Sequence, residues 1–312
     1  MKRKHRRDIQ DDREDALVPH SAQELQTAKD VAGKTWLTYR ASPLHAFKEE
    51  RLADYAASLR RHMTADCQEA VGQRWRFLAA AYRLPGLAEQ HGRVFAFVVG
   101  LKSVAGKRAE SPLFQAILSI ARPGTAPEGA QGRGEHPAYP VFLLRGNKTT
   151  TDSFSAWLYG QFDSRVSQLS FSPYTLARMA ALWGSSDAPP KRSASGAAEV
   201  LELVYKAPEY IPELNTIRLT IPQEDMRRLA AEMTEQNHNL YKEEDDKLAE
   251  VRPGLLRALE EHFFYHFRIS LSAFLLYRIS TPVAHVNSSG KLKLTEANIS
   301  LVFQQLAIYA QL

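Results

Sequence analysis

Apolar residues recur along this chain with two different periods, and the points where the period changes divide it. Leu52, Tyr55, Ala56, Leu59 and Met63 fall three and four apart within Glu49–Met63, the spacing of one helix face. Beyond Gly92 the pattern becomes short runs rich in β-branched and aromatic residues: Arg93–Val99, Leu113–Ile120 and Tyr139–Leu144. No helix-length segment separates these runs, so they predict a meander of antiparallel strands. Between two of them, Arg122–Pro137 holds Pro123, Gly124, Pro127, Gly129, Gly132, Gly134 and Pro137, which predicts a long exposed loop. Helical period returns over Phe154–Gln168. It returns again after Ser172, a hydroxyl N-cap followed by Pro173 at the first helical position, and runs to Trp183.

The last third repeats the style. Strands are predicted at Glu199–Tyr205 and Thr216–Ile221, then a helix from about Gln223 to Met233. A charged segment, Lys242–Lys247, leads into a helix ending near His266. Arg268–Val286 reads as one unusually long β-rich run, paired with Gly290–Leu294 in a hairpin across Asn287, Ser288, Ser289 and Gly290. A final helix carries Ile299, Val302, Phe303, Leu306 and Tyr309 on one stripe. Strands in runs and helices in runs predict an α+β fold, mainly antiparallel sheets with flanking helices, in two lobes. The expected division is a tail at 1–30, an N-terminal lobe at 31–184, a Ser- and Pro-rich linker at 185–196 and a C-terminal lobe at 197–312.

Composition narrows the class. At 312 residues, 44% hydrophobic and 24% charged, the chain has enough apolar content for a full core. No stretch approaches the ~18 uncharged apolar residues of a membrane span, and the basic start lacks the apolar run of a secretory signal. The single cysteine, Cys67, excludes an intramolecular disulfide framework and a cysteine-rich zinc module. The net charge is +5. Little of it is local: Lys2, Arg3, Lys4, Arg6 and Arg7 form a basic cluster suited to nuclear import or phosphate contact, and equally to a solvated terminus, but Asp8, Asp11, Asp12, Glu14 and Asp15 offset it. The body is only mildly basic, so a polyanion would have to be met by a local patch.

Motifs for catalysis are missing. Gly100, Gly106 and Lys107 resemble a phosphate loop, but the glycines are separated by five residues rather than four, and Arg108 replaces the magnesium-holding hydroxyl. His262 and His266 share a helix face, yet Phe263 follows the first of them where a zincin has its glutamate, and no third ligand is spaced to join them. No nucleophile elbow occurs. No catalytic residue, metal, cofactor or small-molecule substrate is therefore expected, although a site assembled in space from distant residues stays open.

Basic residues offer more. Lys291 and Lys293, two apart, project from one face of a strand, and Arg278 lies beside them on the late hairpin. Such a row can meet successive phosphates without reading bases; it is also what keeps an exposed strand soluble. Lys102, Lys107 and Arg108 form a second cluster with the same ambiguity. Leu271, Phe274, Leu276, Ile279 and Val283 exceed what one sheet face requires, which predicts a surface covered by a partner.

Three blocks of residues now acquire a common meaning. They are Trp36-x-x-Tyr39-x-x-Ser42-Pro43-Leu44-x-x-Phe47; Phe162-Asp163 with Leu176 and Met179–Trp183; and His262, His266–Ile269, Leu271–Ala273, Arg278–Thr281 and Gly290–Lys293. In this order they resemble the centromere protein L family of the inner kinetochore. The resemblance implies a non-enzymatic protein of the nucleus, at the centromere and kinetochore of the chromosome. It implies a heterodimer with centromere protein N through the C-terminal sheet. It further implies association with centromere protein C, the H–I–K–M subunits and centromeric DNA on its nucleosome. Arg278, Lys291 and Lys293 lie inside the third block and are carried over as DNA-backbone contacts. A stand-alone, sequence-nonspecific DNA-binding protein is the alternative.

Overall fold

The computed structural model describes residues 28–84, 92–104, 112–121, 139–184, 200–208, 210, 214–229, 254–295 and 298–311. The tail through residue 27, the loop at 122–137, the linker at 185–196, the segment Lys242–Lys247 and the residues Lys107 and Arg108 lie outside them. The fold is α+β with antiparallel pairing throughout the described strands. It divides into unit 1, residues 1–169 with 299–312, and unit 2, residues 170–298. The division therefore falls at 169/170 rather than around the expected linker, and the last residues return to unit 1.

Unit 1 begins with a helical turn, α1 (Ala28–Val31), and strand β1 (Thr35–Ala41). Trp36 is fully buried, its indole N–H donating to the Val31 carbonyl at 3.0 Å. Helix α2 (Leu52–Val71) buries Tyr55, Ala56, Leu59 and Met63 as the spacing predicts, and extends the stripe to Cys67. Strands β2 (Trp75–Arg83), β3 (Gly92–Ser103), β4 (Phe114–Ala121) and β5 (Val141–Arg145) form the meander. Pairing runs β2-β3-β4-β5-β1, with β6 (Val166–Gln168) beside β1. The hydrophobic pattern announces none of β1, β2 and β6; in β2, Leu78-Ala79-Ala80-Ala81 has low β propensity. Its long register against β3, from Trp75↔Ser103 to Arg83↔Phe95, sets it in the sheet.

Helix α3 spans Lys148–Phe162, six residues earlier at each end than the apolar period suggests. Asn147 fixes the start, its Oδ1 accepting from the Thr150 N–H at 2.8 Å. Asp163 ends it in the left-handed region at φ 48°. One sheet face and α3 enclose Phe97, Phe114, Phe142, Phe154 and Trp157, with ring centroids 4.8–5.9 Å apart around Phe154. Helix α6 (Ile299–Gln311) packs against β4 and β5, which is why the C-terminal residues belong to unit 1. Its predicted stripe, Ile299, Val302, Phe303, Leu306 and Tyr309, is buried in full.

In unit 2, helix α4 (Pro173–Gly184) starts at Ser172, whose Oγ accepts from the Thr175 N–H at 3.1 Å. Strands β7 (Val200–Lys206), β8 (Thr216–Pro222), β9 (Leu275–Ser280), β10 (Ala284–Asn287) and β11 (Lys291–Leu294) pair in the order β11-β10-β9-β7-β8. Residues 223–229 are helical, and helix α5 spans Gly254–Phe267. α4 covers one sheet face, touching β9, β10 and β7. α4 therefore belongs with the strands that follow it, not with the lobe before it.

The long run Arg268–Val286 is not one strand. Arg268 takes a positive φ of 57°, Leu271–Ala273 forms a 3-10 turn, and a tight bend separates β9 from β10. At that bend Thr281 Oγ1 accepts from the Val283 and Ala284 N–H groups at 3.2 and 3.1 Å. The hairpin between β10 and β11 forms as predicted. Gly290 supplies φ 78°, and Asn287 Oδ1 accepts from the Lys291 N–H at 2.9 Å.

Candidate nucleic-acid and partner surface

Strand alternation sorts the residues of unit 2's sheet. Leu292 and Leu294 are buried while Lys291 and Lys293 are exposed, the pleat sending alternate side chains to opposite faces. Register carries this across the sheet. Lys293 lies opposite His285, His285 opposite Ser280, Ser280 opposite Glu202, and Glu202 opposite Thr220. One step along, Arg278 lies opposite both Asn287 and Val204, and Val204 opposite Arg218. Arg278, Lys291 and Lys293, distant in sequence, thus share one sheet face. The opposite face is apolar, with Leu203, Ile279, Ala284, Val286 and Leu292 buried.

An internal anion lies among these cations. Glu202 Oε1 is 2.8 Å from Arg218 Nε and 3.5 Å from the Arg278 guanidinium. Arg218 escapes a reading of the sequence because it stands alone in Thr216–Pro222; only pairing with β7 sets it beside Glu202. His285 is partly buried, and its pKa is lowered first by that burial, then by the positive charge of Lys293; Arg278 adds to the effect and Glu202 opposes it. A lowered imidazole pKa has a definite sign. On unfolding, His285 regains its ordinary value of 6.5, so below that pH the unfolded chain takes up protons first. Stability therefore falls as pH drops through that value, and stops falling once the folded imidazole titrates too. Above it the contribution vanishes. In thermal melts between about pH 5 and 7, His285→Gln is expected to flatten the acid-side decline relative to wild type. An unchanged slope sinks this expectation.

Of the second basic cluster only Lys102 lies among the described residues. Lys102 lies on β3 in unit 1, opposite Arg76. The residues Gly100–Ser103 continue the strand, so the stretch that resembled a phosphate loop starts as sheet. His262 and His266 lie with ring centroids 4.4 Å apart and planes tilted by 59° on exposed helix surface. Among the described residues, no group of three or more His, Cys, Asp or Glu is arranged to hold a metal. A surface depression of about 330 Å³ on α2 is lined, among the described residues, by Arg60, Arg61, Thr64 and Ala65.

The apolar residues expected at a partner surface need correction. Leu271, Leu276, Ile279 and Val283 are buried inside the chain's own fold, and Phe274 is half-buried. For Leu276 and Ile279 the cause is a β-bulge. Val204 pairs with Arg278 but Tyr205 with Leu276, so Tyr277 is an extra residue on β9. The bulge turns both Leu276 and Ile279 to the core and leaves Leu275 and Tyr277 outside. Leu275 is 64% exposed and Phe267 63%, with Phe264, Tyr265 and Ile269 also open to solvent. The Arg268 guanidinium lies 6.0 and 5.8 Å from the Phe264 and Tyr265 ring centroids. Large apolar side chains between residues 264 and 277 thus face solvent. In the sequence they are masked by aromatics on all sides of α5.

Residues 30–309 match the family model for centromere protein L, a span that contains the basic face and the exposed apolar segment alike. The chain belongs to the centromere protein L family. Curated relatives agree. The chain is 28% identical over 289 residues to centromere protein L of Xenopus tropicalis, covering 84% of this chain and 74% of that protein. It is 27% identical to that of Gallus gallus, covering 94% of this chain and 85% of that protein. It is 25% identical to that of Homo sapiens, covering 84% and 74%. The centromere protein L family takes its name from a chromosomal site and not from a reaction. Among the described residues, no helix is long and apolar enough to cross a membrane.

Proposed function

We propose that this chain is a non-enzymatic scaffold subunit of the inner kinetochore in the nucleus. In this reading it pairs with centromere protein N and helps hold centromeric DNA. The observation that carries it is the register that gathers Arg278, Lys291 and Lys293 on one solvent-facing sheet face of a centromere protein L family member. Three cations at strand spacing suit phosphates, whose positions repeat along a duplex, and carry no means of reading bases. Binding is then driven by counterion release and is sequence-independent. Lys102, Lys107 and Arg108 are proposed as further phosphate contacts, and Lys2, Arg3, Lys4, Arg6 and Arg7 as the nuclear import signal. Centromere protein C and the H–I–K–M subunits are the neighbours that the family implies.

The pairing surface in this reading is Phe264, Phe267, Ile269, Leu275 and Tyr277. Exposed aromatic and aliphatic anchors of this kind contribute most of an interface's energy, often about 2 kcal/mol or more each. Co-expression with centromere protein N is expected to give one sharp gel-filtration species containing both chains. Phe267→Asp with Leu275→Asp is expected to weaken the pair by about 1000-fold, from two such anchors, and to split the peak. Co-elution of the double variant at low concentration rejects this pairing surface. A wild-type chain that binds duplex DNA well on its own and ignores centromere protein N favours the stand-alone alternative.

A further inference from the structure

We infer that Glu202 is an internal competitor for the nucleic-acid phosphates, and that Arg218 is the further phosphate-binding residue it holds back together with Arg278. This rests on the reading of the sheet face as a DNA-backbone surface. The five strands of unit 2 carry Lys206, Arg218, Arg278, Lys291 and Lys293, and Glu202 is their one carboxylate. It stands on β7, between the two strands that bear the arginines. From there it reaches both, with Arg218 Nε at 2.8 Å and the Arg278 guanidinium at 3.5 Å.

Burial makes the arrangement asymmetric. The Glu202 side chain is 20% exposed, while Arg218 and Arg278 are 64% and 41% exposed. The carboxylate is held closer to the sheet and both arginine side chains are the more open to solvent, so an incoming anion reaches them before the carboxylate. A phosphate diester presents the same chemistry as the carboxylate, a negative oxygen that accepts from guanidinium N–H groups. Ion pairs this accessible to water are weak, so exchange of one anion for the other is open. Wherever Glu202 keeps its hold, its charge cancels a cation that the duplex would otherwise neutralise. In the same row, His285 and Lys293 stand across β10 and β11 and extend the anion path beyond the two arginines.

The substitution E202Q keeps the shape and the hydrogen-bond acceptor but removes the charge. It should release the equivalent of one phosphate contact, a gain of about eight-fold near 0.1 M salt with a slope of log K against log salt steeper by about 0.9. R218A should do the reverse. It loses its own contact and leaves the whole carboxylate to cancel Arg278, so the net count of free cations drops by one and the slope should fall by about one unit. In the background R218A/R278A, E202Q should bring only a small gain.

The test is fluorescence anisotropy of a short mixed-sequence duplex with the full-length chain and its co-purified partner, across a salt series, alongside thermal melts. E202Q that binds like wild type, or R218A with an unaltered slope, overturns the inference. If E202Q does not fold, E202T, which substitutes a residue that strands favour, carries the same readout. No salt-dependent binding by the wild-type pair overturns the functional reading as well; a salt-dependent wild type with an unaltered E202Q overturns only the role of Glu202.

Discussion

Alanine at Arg278, Lys291 and Lys293 together is expected to lower affinity for duplex DNA by about 500-fold near 0.1 M salt. The same variant should reduce the slope of log K against log salt by about 3, one unit for each lost phosphate contact. Both numbers follow from counterion release, which is worth about eight-fold per neutralised phosphate at that salt concentration. The fold should survive. Lys291 and Lys293 are exposed, and Arg278 has only a long contact with Glu202, which keeps Arg218. Equal loss on unrelated duplex sequences is part of the expectation, because nothing on this face reads bases. Undiminished affinity in a variant that melts like wild type removes the DNA-backbone role from these residues.

Phe154→Ala is expected to be the most destabilising truncation in unit 1, costing about 3–5 kcal/mol. Phe154 is fully buried, and its ring meets Phe97, Phe114, Phe142 and Trp157 with centroids 5.9, 4.8, 5.9 and 5.5 Å away. These partners come from three strands and from α3 itself, so the cavity cannot close by moving one element. With each kcal/mol worth about 2–4 °C in a unit of this size, the thermal midpoint should drop by about 10 °C. Tyr159→Ala, on the same helix but 54% exposed, is the control and should cost less than about 0.5 kcal/mol. Comparable loss in both variants contradicts the aromatic core as the keystone of this unit.

These two outcomes draw on different levels of information. The stripe Ile299, Val302, Phe303, Leu306 and Tyr309 is legible in the sequence, because a helix face follows from period alone. So are the Ser172-Pro173 helix start and the β3-β4-β5 meander, whose signals are local. β2 is not, since its alanines carry little β preference and only its pairing with β3 makes it a strand. The break in Arg268–Val286 is also hidden. A bend at Thr281 and a bulge at Tyr277 are matters of hydrogen bonding and register, which composition does not encode.

The candidate site divides the same way. Lys-Leu-Lys-Leu at 291–294 determines by itself that two cations leave one side of a strand while two leucines leave the other. Family membership, too, is written in the order of residue blocks along the chain. The sequence already groups Arg278 with that pair, but tertiary structure alone decided that Arg218 and Glu202 meet it. It also turned Leu276 and Ile279 inward and left Leu275 and Phe267 exposed. The physical reason is range. Period and capping act within a few residues of chain, whereas register is fixed between strands far apart in it, as where Glu202 meets Ser280. A slip of one residue there would reverse every side chain the strand carries.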